Sequence, residues 1–204
     1  MSEQTGERAR PRITGERGDE VLDVTLRLLA EVGYDRLTMD AVAAEARAGK
    51  ASLYRRWRSK SDLVVDAIDR ADRCAGGAAD IDTGSLRGDL LASACGDSGL
   101  TDVRMVALMT GLMTAVQHDE DLRLALQTRF VAPRAEASRR LLERGQRRGE
   151  VRPDADLDLL TDVLPSMVVL QVLIHGRPLD TTLITRVVDE VVLPAVRCTP
   201  PDDG

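Results

Sequence analysis

Residues 47–60 read RAGKASLYRRWRSK, and they gather six of the chain's 28 Lys and Arg residues with no acid among them. Side chains of this kind hold anions: an ammonium acts as a point charge, and a guanidinium offers a planar fork that fits a phosphate or the edge of a guanine. Ser52 and Tyr54 add hydroxyls that give such contacts direction. The 204-residue chain as a whole has formal net charge −6, so the stretch is a local reversal of sign. The charge is also polarised further upstream, with acids on the segment around 19–45 and bases on the opening arm and on this stretch. A surface with one face turned to phosphate has that pattern. A solvated helix face can have it too, so charge alone leaves nucleic-acid binding open.

Positioning these groups requires helices. Val21, Thr25, Leu28 and Val32 fall on one helical face, and Gly33 supplies a stop, which predicts a first helix. Thr38 offers an N-cap oxygen with Asp40 in the first turn, so MDAVAAEA reads as a short helix burying Val42, Ala43 and Ala46. The turn Arg47-Ala48-Gly49 leads straight into a second short helix, KASLYRRW. Two short helices joined by a tight turn, the second one charged, make a helix-turn-helix arrangement. Ser59 then caps a longer helix with Asp62 at its third position. Leu53 and Trp57, four residues apart, should pack inward, which leaves Lys50, Ala51, Ser52, Tyr54, Arg55 and Arg56 on the groove side. Thr38 heads a helix N-terminus suited to a phosphate, and Lys60 can grip another.

The run GYDRLTMDAVAAEARAGKASLYRRWRSKSDLV resembles the DNA-binding domain of the tetracycline-repressor-like (TetR) family of bacterial regulators over about residues 18–65. The features that carry the resemblance are Gly33-Tyr34, Thr38, Val42-Ala43, Ser52-Leu53-Tyr54, Trp57 and Ser59-Lys60. It implies that Tyr54 contacts a phosphate through its hydroxyl. Three positions depart from the pattern. Arg47 stands where the family has a turn Gly, Gly49 where it has a capping Ser, and Ala51 where it has a small Gly. Arg47 is therefore expected either in the left-handed conformation, at roughly 1 kcal/mol, or in a slightly rebuilt turn. The DNA-binding residues expected are Thr38, Arg47, Lys50, Ala51, Ser52, Tyr54, Arg55, Arg56 and Lys60, with the Arg residues of the arm as a looser candidate for a neighbouring minor groove.

The remaining segments also have helical period, and no period-2 run stands between hairpin turns. The expected fold is all-α: a flexible basic arm over 1–17, a helix-turn-helix domain over 18–75 whose fourth helix links onward, a larger helical domain over 76–198, and a disordered tail over 199–204. AGGAADIDTGS at 75–85 reads as the connector between domains. Helices are expected near 86–95 and 101–116, as one long element over 119–148, and near 156–175 and 180–196.

By resemblance, the C-terminal helices build an effector pocket and a dimer interface. Leu160, Leu164, Met167, Val168, Leu183, Val187 and Val191 supply more apolar surface than one small domain needs, which fits a homodimer seam. Met105, Met109 and Met113 recur every four residues beside Leu112 and Val116, with Phe130 on the facing helix. That stripe suits either plain core or an adaptable cavity for an unknown, largely apolar small-molecule effector. The expected partners are double-stranded operator DNA, a second copy of the chain and that effector.

Several classes are set aside. No apolar run approaches the ~18 residues of a membrane span, so no membrane partner is expected. Cys74, Cys95 and Cys198 are odd in number and widely spaced, which reads as reduced thiols and a cytoplasmic location. His118-Asp119-Glu120-Asp121 points in different directions on a helix and reads as capping, so no metal or other cofactor is expected. No nucleophile has a recognisable base partner, and the chain is not read as an enzyme. An all-α ligand-binding or scaffold protein that has lost DNA binding stands as the alternative.

Overall fold

The computed structural model describes residues 15–74, 81–95, 103–177 and 180–197, and among them every regular element is a helix. Of the four Arg residues of the expected arm, Arg8, Arg10 and Arg12 lie outside the described residues, as do the segment 75–80 and the tail, while Arg17 is already helical. The chain divides into two compact units between Ala67 and Ile68. No described helix is long and apolar enough to cross a membrane.

The first unit holds α1 (Glu16–Arg36), α2 (Met39–Glu45), α3 (Lys50–Arg56) and the start of α4 (Lys60–Cys74). Of the expected face, α1 buries Val21 and Thr25, with Leu22 and Leu29 beside them, and leaves Leu28 and Val32 half-buried. The Thr25 hydroxyl donates to the Val21 carbonyl at 2.8 Å, so its burial leaves no polar atom unmatched. Helical geometry breaks at Gly33, with φ 77 and ψ 168, values that glycine adopts without a Cβ penalty. Tyr34 and Leu37 follow into the core, and α1 packs on α2 and α2 on α3.

The second unit contains α5 (Leu86–Cys95), α6 (Val103–His118), α7 (Glu120–Leu126), α8 (Ala132–Arg147), α9 (Leu157–Leu173), α10 (Thr181–Val187) and α11 (Leu193–Val196). Its core joins Leu86, Leu142, Val151, Ile184, Val188 and Val196. Gly145 on α8 is where α5 comes closest: an added Cβ would lie 2.8 Å from Val151 Cγ2 and 3.3 Å from Leu86 Cδ1.

The single helices expected over 119–148 and 180–196 each contain a π-helical turn, at Gln127–Val131 and at Val188–Val192. Pro133 and Pro194 follow just after them. Proline has no N–H to offer the carbonyl four residues back, and its ring collides with that carbonyl. The carbonyls concerned, of Arg129 and Glu190, sit inside the π turns, where the widened spiral moves them clear.

The second half of the expected connector is built into the domain. Asp89 is fully buried and accepts from the Thr83 backbone N–H at 2.6 Å, the Thr83 hydroxyl at 2.8 Å and Arg148 Nη2 at 2.8 Å. Glu150 accepts from the Leu86 N–H at 2.7 Å and also pairs with Arg148, and Arg144 donates to the Ile81 carbonyl. Gly88 leaves room for this loop, since a Cβ there would stand 2.1 Å from Thr83 Oγ1.

Burial by itself would raise the Asp89 carboxyl pKa, but the bonds from Thr83 and Arg148 outweigh it and hold the group below its ordinary value. A carboxylate depressed in the folded state contributes stability above its unfolded value, about 4, and loses it as pH falls through the folded value. Asp89→Asn should therefore cost about 2 kcal/mol at neutral pH, and the gap to the native chain should narrow as pH falls below about 4. Urea unfolding at pH 7 and pH 3 measures both, and a gap of constant size would contradict the assignment.

Candidate nucleic-acid interface

The orientation of α3 is set by two apolar anchors. Leu53 and Trp57 are buried as their spacing predicts, and Trp57 Nε1 donates to Asp66 Oδ2 of α4 at 2.6 Å. With those residues inward, Lys50, Ala51, Tyr54 and Arg55 form one exposed face, because positions i, i+1, i+4 and i+5 adjoin on a helix. Tyr54 is 45 % exposed, high for an aromatic side chain in a unit with so few of them. Lys50 Nζ reaches Asp40 Oδ2 at 2.6 Å, and that hydrogen bond, with the charge behind it, raises the ammonium pKa above its ordinary value. The ion pair is exposed at both ends, so a phosphate can compete with the carboxylate for Lys50.

Helix N-termini flank this face. Thr38 caps α2, its Oγ1 accepting from the Ala41 N–H at 3.1 Å. The hydroxyl keeps its own hydrogen as a donor toward solvent. Ser59 caps α4 by accepting from the Asp62 N–H at 3.0 Å. Lys60, expected to grip a phosphate, donates to the Tyr34 carbonyl at 2.9 Å and lies 3.9 Å from the centre of the Tyr34 ring. Its ammonium thus joins α4 to the segment after the Gly33 break, and with three donors it has capacity beyond that one carbonyl.

The turn between α2 and α3 contains the one non-glycine residue with positive φ among those described: Arg47, φ 49. The left-handed conformation lets the Arg47 N–H reach the Ala44 carbonyl at 3.1 Å and the Ala48 N–H reach the Ala43 carbonyl at 2.8 Å, which closes the end of α2. Arg17 then donates to the carbonyls of Ala46 and Arg47 at 3.2 and 2.8 Å. Nothing in the local spacing points to that contact, which spans about thirty positions of chain.

Two other expected groove residues make contacts within the unit. Ser52 is buried, only 8 % exposed, on the side of α3 that carries Leu53. Arg56 has its guanidinium 4.9 Å from the centre of the Trp57 ring and against Gly18 of α1. Both flank the inward pair, and a seven-residue helix is too short for periodicity to show which flank faces its neighbours.

Matches to known proteins agree with this geometry. The family model described as "Bacterial regulatory proteins, tetR family" matches residues 21–67, and the one described as "Tetracyclin repressor-like, C-terminal domain" matches residues 80–191. The chain belongs to the TetR family. A helix-turn-helix-type transcriptional regulator of Mycobacterium tuberculosis is 39% identical over 183 residues, 88% of each chain. The "DNA-binding transcriptional repressor TetR" of Mycobacteroides abscessus is 36% identical over 181 residues, 89% of this chain and 94% of that one. The solved structure of the TetR family transcription regulator SCO0332 superposes with TM-score 0.70 at 32% identity, covering 91% of this chain and all of that one. This protein is accordingly a DNA-binding transcription regulator.

TetR-family regulators act as dimers, and the described surface of the second unit narrows where such a seam can run. Val168 and Val187, expected at the seam, are buried within the single chain, and Leu160, Leu164, Met167 and Leu183 pack against the same core. Val191 is exposed, and on α9 and its end so are Leu159, Val169, Leu170 and Ile174. Of the residues expected around an effector, Leu112 is buried, Met109, Val116 and Phe130 are half-buried, and Met113 is exposed, while the side chain of Met105 lies outside the described residues. Phe130 falls in the first π turn, with Arg134 Cζ 3.5 Å from its ring centre.

Arg47 departs from the family's turn Gly at a cost in backbone strain of about 1–2 kcal/mol, so Arg47→Gly should stabilise the chain. The wider freedom of Gly when unfolded offsets part of this, leaving a net gain of about 0.5–1 kcal/mol in urea or thermal unfolding. A loss of stability would mean that the Arg47 side chain contributes more than its conformation costs.

Proposed function

We propose that this regulator is a homodimeric repressor that reads a near-palindromic operator with the face formed by Lys50, Ala51, Tyr54 and Arg55. The observation that carries the reading is that face, exposed between the capped starts of α2 and α4. Arg55 can pair with a guanine edge, and Tyr54 and Lys50 suit the phosphate walls. Thr38 and Lys60 hold the backbone on either side, and Arg47 lies at the edge of the contact. Ser52 and Arg56 support α3 from behind. Two reading heads about one helical turn apart, roughly 34 Å, engage the two half-sites.

An effector of small, largely apolar character releases the operator by changing the spacing of the heads. The apolar side of α6 with Met109, Leu112 and Val116, and Phe130 on the π turn, supports this reading, since π turns recur at functional sites. The partner copy docks on the exposed stripe Leu159, Val169, Leu170 and Ile174 with Val191, which would otherwise leave apolar surface in water.

Selecting sites from a random DNA pool supplies the operator. Arg55→Ala should then weaken specific binding by about 1–3 kcal/mol, and Tyr54→Phe by a smaller amount, while Arg56→Ala should cost less than either. Equal loss from Arg56→Ala and Arg55→Ala would place both on the groove. A purified chain with no preference for selected over random duplex would favour an all-α binding protein without DNA contact.

Sedimentation tests the seam. Leu170→Asp buries a charge in the proposed interface and should raise the dimer dissociation constant by at least about thirtyfold, a cost of roughly 2 kcal/mol, without unfolding the chain. A dimer of unchanged affinity would move the seam to another surface.

A further inference from the structure

We propose that Arg17 is a positioning residue for DNA reading: its guanidinium sets the direction in which α3 leaves the helix-turn-helix turn. The inference rests on the reading of α3 as the groove-binding element.

The end of α2 leaves carbonyls without helical partners. Those of Ala43 and Ala44 are taken by the N–H groups of Ala48 and Arg47. Further along, the carbonyls of Ala46 and Arg47 both accept from one nitrogen, Arg17 Nη2, at 3.2 and 2.8 Å. Arg17 Nη1 donates to Glu20 Oε2 at 2.8 Å, which orients the fork from within its own helix. The guanidinium also places positive charge at the negative end of α2. Lys50 begins α3 three residues beyond the second of these carbonyls, whose own residue, Arg47, holds a conformation that L side chains rarely adopt. A family-typical Gly would enter that conformation unaided, so the brace from Arg17 matches the departure at Arg47.

The far end of α3 meets the same turn of α1. Gly18, next to Arg17, is buried, and an added Cβ there would lie 3.4 Å from Arg56 Cζ. The first turn of α1 therefore touches α3 through both the turn before it and the last residue within it. Arg17 and Glu20 keep 41% and 59% of their side-chain surface exposed, so replacing Arg17 opens no core cavity.

The rival explanation is that Arg17 meets a phosphate directly, and the two differ in salt dependence. A lost phosphate contact lowers the slope of log affinity against log salt by about one, and a lost brace leaves it unchanged. They differ also in the response to lysine, which keeps the charge but loses the fork. The experiment measures affinity for the selected operator across a salt series for the full-length chain and for R17A, R17K, R47G and R17A/R47G, with a thermal melt of each. Wild type should prefer the selected site. R17A and R17K should each lose roughly tenfold in specific affinity with an unchanged salt slope, and R17A should cost at least threefold less when position 47 is Gly. Equal binding by R17A and wild type overturns the proposal, as does a slope reduced by about one with R17K retaining affinity. A loss equally large in both backgrounds, or an R17A chain unfolded at the assay temperature, makes Arg17 a general stability residue and also overturns it. Failure of wild type itself to prefer the selected site would instead overturn the DNA-reading assignment on which this one rests.

Discussion

Trp57 is the residue on which the geometry of α3 depends. Its ring is buried, its indole N–H is matched by Asp66, and Arg56 stacks over it. A seven-residue helix in isolation has almost no stability of its own, since nucleation costs more than so few hydrogen bonds return. What makes α3 a helix with one defined rotation is that Leu53 and Trp57 must be inward at the same time. Once they are, the faces of Lys50, Ala51, Tyr54 and Arg55 follow by the period of the helix.

The ends of that helix are governed differently. Its start depends on a turn in which Arg47 accepts backbone strain, and the bonds that close α2 and the Arg17 contact together exceed what the strain costs. Its exit depends on Ser59, which caps α4 and so fixes where the chain turns back. Charge alone plays little part in this architecture. The exposed ion pairs Lys50–Asp40 and Arg27–Glu45 are cheap to exchange with solvent or with phosphate.

In the second unit the organising constraint is a buried carboxylate. Asp89 collects donors from Thr83 and Arg148, and Arg148 in turn carries Glu150 and Asp82. Such a group cannot be left partly matched in a core, so the loop before α5 and the end of α8 are held as one piece. A stretch rich in Gly, Ala and Asp looks like a linker because nothing in its composition announces partners sixty residues away.

The amino-acid sequence by itself determined the helical class, the inward pair of α3, the caps at Thr38 and Ser59 and the break at Gly33. All of these are local: they depend on period, on a short side chain beside a free N–H, or on the absence of a Cβ. Only the tertiary structure decided that Ser52 is buried and Arg56 lies against Trp57, that Arg17 reaches the carbonyls of the turn, that Val168 and Val187 belong to the chain's own core, and that two long helices widen before Pro133 and Pro194. The first three depend on which neighbours a helix meets. Apolar periodicity locates a buried face and cannot say whether the chain itself or a partner covers it. The widened turns each precede a proline, but Pro165 sits inside α9 without one, so proline's missing donor alone does not place them.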